Sequence, residues 1–148
     1  MRTLFSPADR AAIHARLDRL TPNAERRWGR MTAPEMVCHI ADQMRVGLGE
    51  LPAPSKPSFL SNPVLRRAAL FWLPWPKGKA PTDPAMLTSK PASWVDDVAA
   101  VHALVERVGE RGAEGPWSTH PAFGRLSGKD WGRLCYRHLD HHLTQFGV

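Results

Sequence analysis

At 148 residues, with 43 % hydrophobic and 23 % charged side chains, the chain is sized for a single domain spanning 1–148 and can fill a core. A disordered chain and a disulfide-rich miniature are both excluded. Twenty Lys and Arg against 14 Asp and Glu give a net charge of +6, which suits an anionic ligand. The cations are scattered singly or as pairs such as Arg26-Arg27 and Arg66-Arg67, so no nucleic-acid module is expected.

The elements follow in chain order. Ser6-Pro7-Ala8-Asp9 reads as a cap, a first-position proline and an acid, and Ile13, Leu17 and Leu20 follow at helical spacing. This predicts a helix from Pro7 to Leu20, stopped by Thr21-Pro22. Thr32-Ala33-Pro34-Glu35 is a capping box that opens a second helix, whose stripe of Met36, Val37, Ile40 and Met44 ends near Gly47 and Gly49. Prolines then cluster between Pro52 and Pro91, a long irregular connection interrupted by a short helical segment from Asn62-Pro63 to Leu73.

Two further capping boxes are read at Ser93-Trp94-Val95-Asp96 and Ser127-Gly128-Lys129-Asp130. The first opens a helix from Trp94 to Gly109 with Trp94, Val98, Val101, Val105 and Val108 on one face. The second opens the last helix, which places Trp131, Leu134, Cys135, His138, His142, Gln145 and Phe146 together. Strand alternation is absent, so the expected fold is all-α: an antiparallel four-helix bundle with additional short helical segments in the proline-rich connection.

No segment reaches the 18 or so apolar residues of a membrane span. The most apolar run, Ala68 to Trp75, is interrupted by Pro74; Phe71, Trp72 and Trp75 beside Arg66 and Arg67 read as packing surface in preference to an interfacial patch. Nothing reads as a signal peptide, and Cys38 and Cys135 fall inside helices, so reduced thiols in a cytoplasmic protein are expected. Both cysteines read as small core residues before soft metal ligands. Trp28, Trp94, Trp117 and Trp131 likewise read as core or pocket wall.

The chemistry-bearing feature is His138-Leu139-Asp140-His141-His142. At about 100° per residue His138 and His142 point within about 40° of each other, close enough to share one ion. Trp131, Leu134 and Cys135 project nearby, so the pair faces the interior, where unpaired imidazoles cost about 1 to 3 kcal/mol each. Compensation comes from a metal, or from a hydrogen-bonded polar layer with Gln145 and Asp42. A third ligand must come from elsewhere, and spacing leaves His39, His102 and His120 as equal candidates. His14, among Asp9, Arg10 and Arg16, reads as a surface residue.

The strings WGRMTAPEMVCHIADQMRVGLGE, from Trp28 to Glu50, and HPAFGRLSGKDWGRLCYRHLDHHLTQFG, from His120 to Gly147, resemble the two ends of a DinB-like protein of the YfiT superfamily, in a small bacterial branch. The resemblance covers most of the chain in order and leaves the middle poorly constrained. It implies a four-helix bundle in which one histidine of the second helix and an H-x-x-x-H pair of the last hold a divalent metal, zinc or nickel; these map onto His39, His138 and His142. It also implies a homodimer and places thiol transferases and hydrolases among the relatives. His141 is then an extra imidazole: a proton carrier, an outer partner of the ligands, an alternate ligand, or a packing residue.

Three neutral imidazoles leave a coordination position open for a small-molecule substrate. One reading is an enzyme, in which the ion either acidifies water for hydrolysis or activates a low-molecular-weight thiol for transfer. Hydrolysis wants a carboxylate base, for which Asp130, Asp140, Asp42 and Glu35 are the candidates, and their scarcity tilts the reading toward thiol chemistry. The other reading is a non-catalytic, metal-stabilised binding or stress-response module.

Overall fold

The computed structural model describes residues 1–54, 62–75, 77 and 84–148. Among these residues five α-helices follow one another: α1 (Pro7–Leu17), α2 (Ala33–Leu48), α3 (Pro63–Arg67), α4 (Trp94–Arg111) and α5 (Gly128–Gln145). A π turn, Ala68–Trp72, continues α3, and a 3-10 turn, Pro84–Met86, precedes α4. Among the described residues there is no strand, only an isolated bridge between His120 and Gly124. The expectation of an all-α chain therefore holds over these residues.

The helix ends follow from side-chain reach. Thr32 and Glu35 make the full reciprocal box: the Glu35 amide donates to Thr32 Oγ1 at 3.4 Å and the Thr32 amide donates to Glu35 Oε2 at 2.8 Å. The boxes read at Ser93 and Ser127 are only half made. Each serine accepts from the amide three residues on, but aspartate is one methylene shorter than glutamate and does not reach back to the cap amide. Asp130 instead takes the Ser127 hydroxyl at 2.8 Å, and the Ala92 amide donates to Asp97 at 3.0 Å. α1 stops at Leu17, not Leu20: the Arg19 and Leu20 amides bond three residues back, because Pro22 disfavours helical backbone at Thr21 and the last turn tightens.

α2 is the pivot. It packs against α4, α5 and the 3-10 turn, while α1 packs against α4 and α5. Met36, Val37, Ile40 and Met44 are fully buried, and so is Asp42 on the same helix. A buried carboxylate needs partners. Asp42 accepts from the Ser89 amide at 2.7 Å, the Ser89 hydroxyl at 2.5 Å and Arg45 at 3.2 Å, pinning the end of the long connection to α2. Gly47 lets α2 approach α5: a Cβ there would lie 2.8 Å from the Trp131 ring.

The π turn is held by α5. Arg137 donates to the Ala69, Leu70 and Leu73 carbonyls, and its guanidinium lies 5.0 Å above the Trp75 ring. The expectation for this segment divides. Leu70 is buried, and Phe71 and Trp75 pack on the core, whereas Trp72 is 69 % exposed beside exposed Val64, Leu65 and Leu73. In sequence the segment from Phe59 to Trp75 reads as an aromatic surface that a partner would bury, and Phe59 lies outside the described residues. Among the described residues no helix is long and apolar enough to cross a membrane.

Candidate metal centre

α2 supplies His39 and α5 supplies His138 and His142. One ligand-capable nitrogen from each lies within 4.8 Å of the others. The rings stand nearly perpendicular, with centroids 4.7 to 4.9 Å apart and interplanar angles of 80 to 88°. His138 Nε2 is 2.9 Å from His39 Nε2 and 3.2 Å from His142 Nε2. Two nitrogens on one tetrahedral ion at about 2.1 Å lie about 3.4 Å apart, a few tenths of an ångström from both separations to His138, and the third pair lies within 4.8 Å.

The outer bonds decide where the lone pairs point. His39 Nδ1 donates to the Met86 carbonyl at 2.9 Å, which leaves its Nε2 bare. His142 Nδ1 donates to Gln145 Oε1 at 2.8 Å, and the Gln145 amide nitrogen donates to the Trp28 carbonyl at 2.6 Å, which fixes the amide's orientation and leaves His142 Nε2 bare as well. A proton on His138 Nε2 serves one of these lone pairs and leaves the other opposed. His138 Nδ1 is buried without a hydrogen-bond partner. A cation satisfies all three Nε2 atoms at once, and the donor set suits one.

The electrostatics keep the group neutral. Burial, then the neighbouring His142 and His39, hold His138 well below the ordinary histidine range. Burial and His39 push His142 down to about 3, and burial lowers His39 against the opposing effect of the Met86 bond. Neutral imidazoles are ready to ligate near pH 7 without first losing protons. His39 and His138 are 4 and 8 % exposed, and His142 is partly buried as a residue.

The polar-layer alternative is half present: Gln145 joins the histidines, but Asp42 turns to Ser89 and Arg45. Of the other third-ligand candidates, His120 packs against Phe123 and Trp131 and caps its own turn through Nδ1, and His102 sits against α1. His14 is not a free surface residue, as the charges around it suggested. It pairs with His102 and Glu106 of α4, since those charges are the means by which α1 docks.

His141 lies between two tryptophans, its ring 5.7 Å from both Trp28 and Trp75 and 5.2 Å from His142, edge-on. Burial lowers its pKa, partly offset by Asp140. The candidate carboxylates are engaged elsewhere: Asp140 with Arg16 at 2.6 Å, Glu35 and Asp130 in helix caps, and Asp42 as above. Both cysteines are free and buried; Cys135 lies in the core with its thiol pushed up to about 12 by burial. Lys77 lies 4.8 Å above the Trp28 ring, on the side chain that adjoins His141.

A family model described as "Protein of unknown function (DUF1569)" matches residues 2–147. The chain belongs to the DUF1569 family. No curated protein and no solved structure matches it. Two features of this DUF1569 chain had no signal in the sequence. The Met86 carbonyl belongs to the backbone and leaves no mark on residue type, and the enclosure of His141 by Trp28 and Trp75 depends on packing between distant segments. His14 and His102 did carry one, since each borders an apolar stripe: His14 follows Ile13, and His102 follows Val101.

Proposed function

We propose that this chain is a DinB-like metalloprotein: α1, α2, α4 and α5 form an antiparallel four-helix bundle, and His39, His138 and His142 hold one divalent ion, zinc or nickel, through Nε2. Its role is a metal-dependent reaction on a small molecule, of thiol S-transferase type in preference to hydrolytic type. The observation that carries the reading is the pair of outer bonds from His39 to Met86 and from His142 to Gln145, which turn two bare nitrogens toward His138.

A divalent ion held there supplies Lewis acidity to a thiol or to water. Trp28 and Trp75 wall the approach beside His141 and restrict water, His141 is placed to carry a proton, and Lys77 offers a cation to an anionic thiol. The engagement of Asp42, Asp130, Asp140 and Glu35 in other bonds leaves hydrolysis without its usual base and supports the thiol reading. Exposed Val64, Leu65, Trp72 and Leu73 support a homodimer that buries them, and a strictly monomeric species by light scattering at high micromolar concentration overturns that part.

A second reading, a metal-stabilised module without catalysis, rests on the burial of His39 and His138, with Trp75 6.0 Å from His138. Metal analysis of the purified protein, then consumption of a model electrophile with and without a low-molecular-weight thiol, separates the two. Stoichiometric metal with thiol-dependent turnover supports the enzyme. Metal without turnover favours the module, and no metal even after titration overturns both.

A further inference from the structure

α1 and α4 bring together a second pair of histidines that shares no residue with the three-histidine group. The His14 and His102 rings lie nearly parallel, 4.8 Å between centroids at 15°, and meet edge to edge with their Nδ1 atoms 2.6 Å apart. On their far sides both rings meet carboxylates: His14 Nε2 is 2.6 Å from Glu106 Oε1, and His102 Nε2 is 3.3 Å from Asp18 Oδ1. Arg10 holds the other Glu106 oxygen at 3.0 Å.

An ionised carboxylate only accepts, so His14 Nε2 carries the proton and that neutral ring presents a bare Nδ1; the Asp18 carboxylate, 3.3 Å from His102 Nε2, favours the same tautomer there through its charge. Two lone pairs facing each other at 2.6 Å repel unless a cation lies between them. A proton meets that need on one ring at a time. A metal ion meets it on both, and His14, whose outer N–H is held by Glu106, has the usual arrangement of a metal-binding histidine. The side chains are 24 and 28 % exposed, so solvent reaches the pair and completes the coordination. Two nitrogens on one tetrahedral ion lie about 3.4 Å apart, so the rings, which border solvent, must part by about 0.8 Å to admit it.

We propose that His14 and His102 form a second metal site, which takes a divalent transition-metal ion of the imidazole-preferring class, zinc or copper, in place of the proton between their Nδ1 atoms. The ion ties α1 to α4. With two protein ligands the site is weaker than the three-histidine group.

Calorimetric titration with zinc at pH 7.5 tests this on the wild type, His102→Ala and His142→Ala, each checked for helical content by circular dichroism. The wild type is expected to bind two equivalents, with the weaker lost in His102→Ala and the tighter lost in His142→Ala. If His102→Ala does not fold, His102→Gln, which keeps a polar group at this partly buried position, should show the same loss. A single wild-type equivalent that His102→Ala leaves intact overturns the proposal, as does a weaker equivalent that survives His102→Ala. A single equivalent lost in His102→Ala but kept in His142→Ala upholds this site and overturns the central one.

Discussion

Gln145 orients His142. Its carbonyl oxygen takes the His142 Nδ1 proton at 2.8 Å while its amide nitrogen is spent on the Trp28 carbonyl, so the glutamine cannot flip without losing both bonds. Replacing Gln145 with Leu keeps the volume and removes both bonds. Metal affinity is expected to fall about 10- to 100-fold, read by competition with a chromophoric chelator. Unchanged affinity overturns the orienting role.

His142 and His141 are neighbours in sequence with different expected fates. His142 points its Nε2 at His138, whereas His141 sits between Trp28 and Trp75. His142→Ala should abolish binding at the central site. His141→Ala should spare the ion and alter turnover, and the opposite pattern in metal titrations would move the ligand pair to His138 and His141.

The depressed histidine pKa values give a pH dependence with a definite sign. In the unfolded chain these rings take protons below about 6.5, whereas in the folded chain His39, His138 and His142 resist protonation, His142 down to about 3. Their contribution to stability is therefore complete above about pH 6.5 and lost as pH falls from there toward 3, by up to about 1.4 kcal/mol per pH unit for each group. The urea midpoint of the metal-free protein should be lower at pH 5 than at pH 7.5, and zinc affinity should fall over the same interval as protons compete. A midpoint that is flat or rises on acidification contradicts this.

Gly47→Ala sets helix propensity against packing. Alanine favours the helix by about 1 kcal/mol over glycine. Its Cβ would meet Trp131 at 2.8 Å, and that ring is fully buried, stacked on Trp117 at 5.7 Å and tied through Nε1 to the Ser118 carbonyl. Overpacking costs about 1 to 3 kcal/mol, so the net is a loss of about 1 kcal/mol and a drop in Tm of about 2 to 4 °C by circular dichroism. A raised Tm would show that Trp131 can move.

Two of the three central histidines were legible because helix geometry sets their separation: an i, i+4 pair on one face converges whatever the helix packs against. The third was not. His39, His102 and His120 all border apolar segments, and which of them meets the last helix depends on how α2 seats against α5, a matter of packing that spacing alone does not encode. His39 entered by resemblance, and the structure brings it to His138. His14 was misread for a related reason. Arg10 and Arg16 look like solvated charges in sequence, yet Arg10 reaches Glu106 on α4 and Arg16 reaches Asp140 on α5. The capping boxes at Ser93 and Ser127 were overread because the pattern treats aspartate as glutamate, and the shorter side chain falls one methylene short.

The bond from His39 to the Met86 carbonyl makes the orientation of this imidazole depend on where the connecting chain passes, not on what it carries. Every amino acid at position 86 presents the same carbonyl, so point substitutions there would report on the buried Met86 side chain and not on this bond. Inserting or deleting a residue between Met86 and Ser89, where the chain is pinned to Asp42, would withdraw the carbonyl and release the imidazole. The spacing of this stretch, invisible to any inventory of side chains, is thereby part of what positions the three-histidine group.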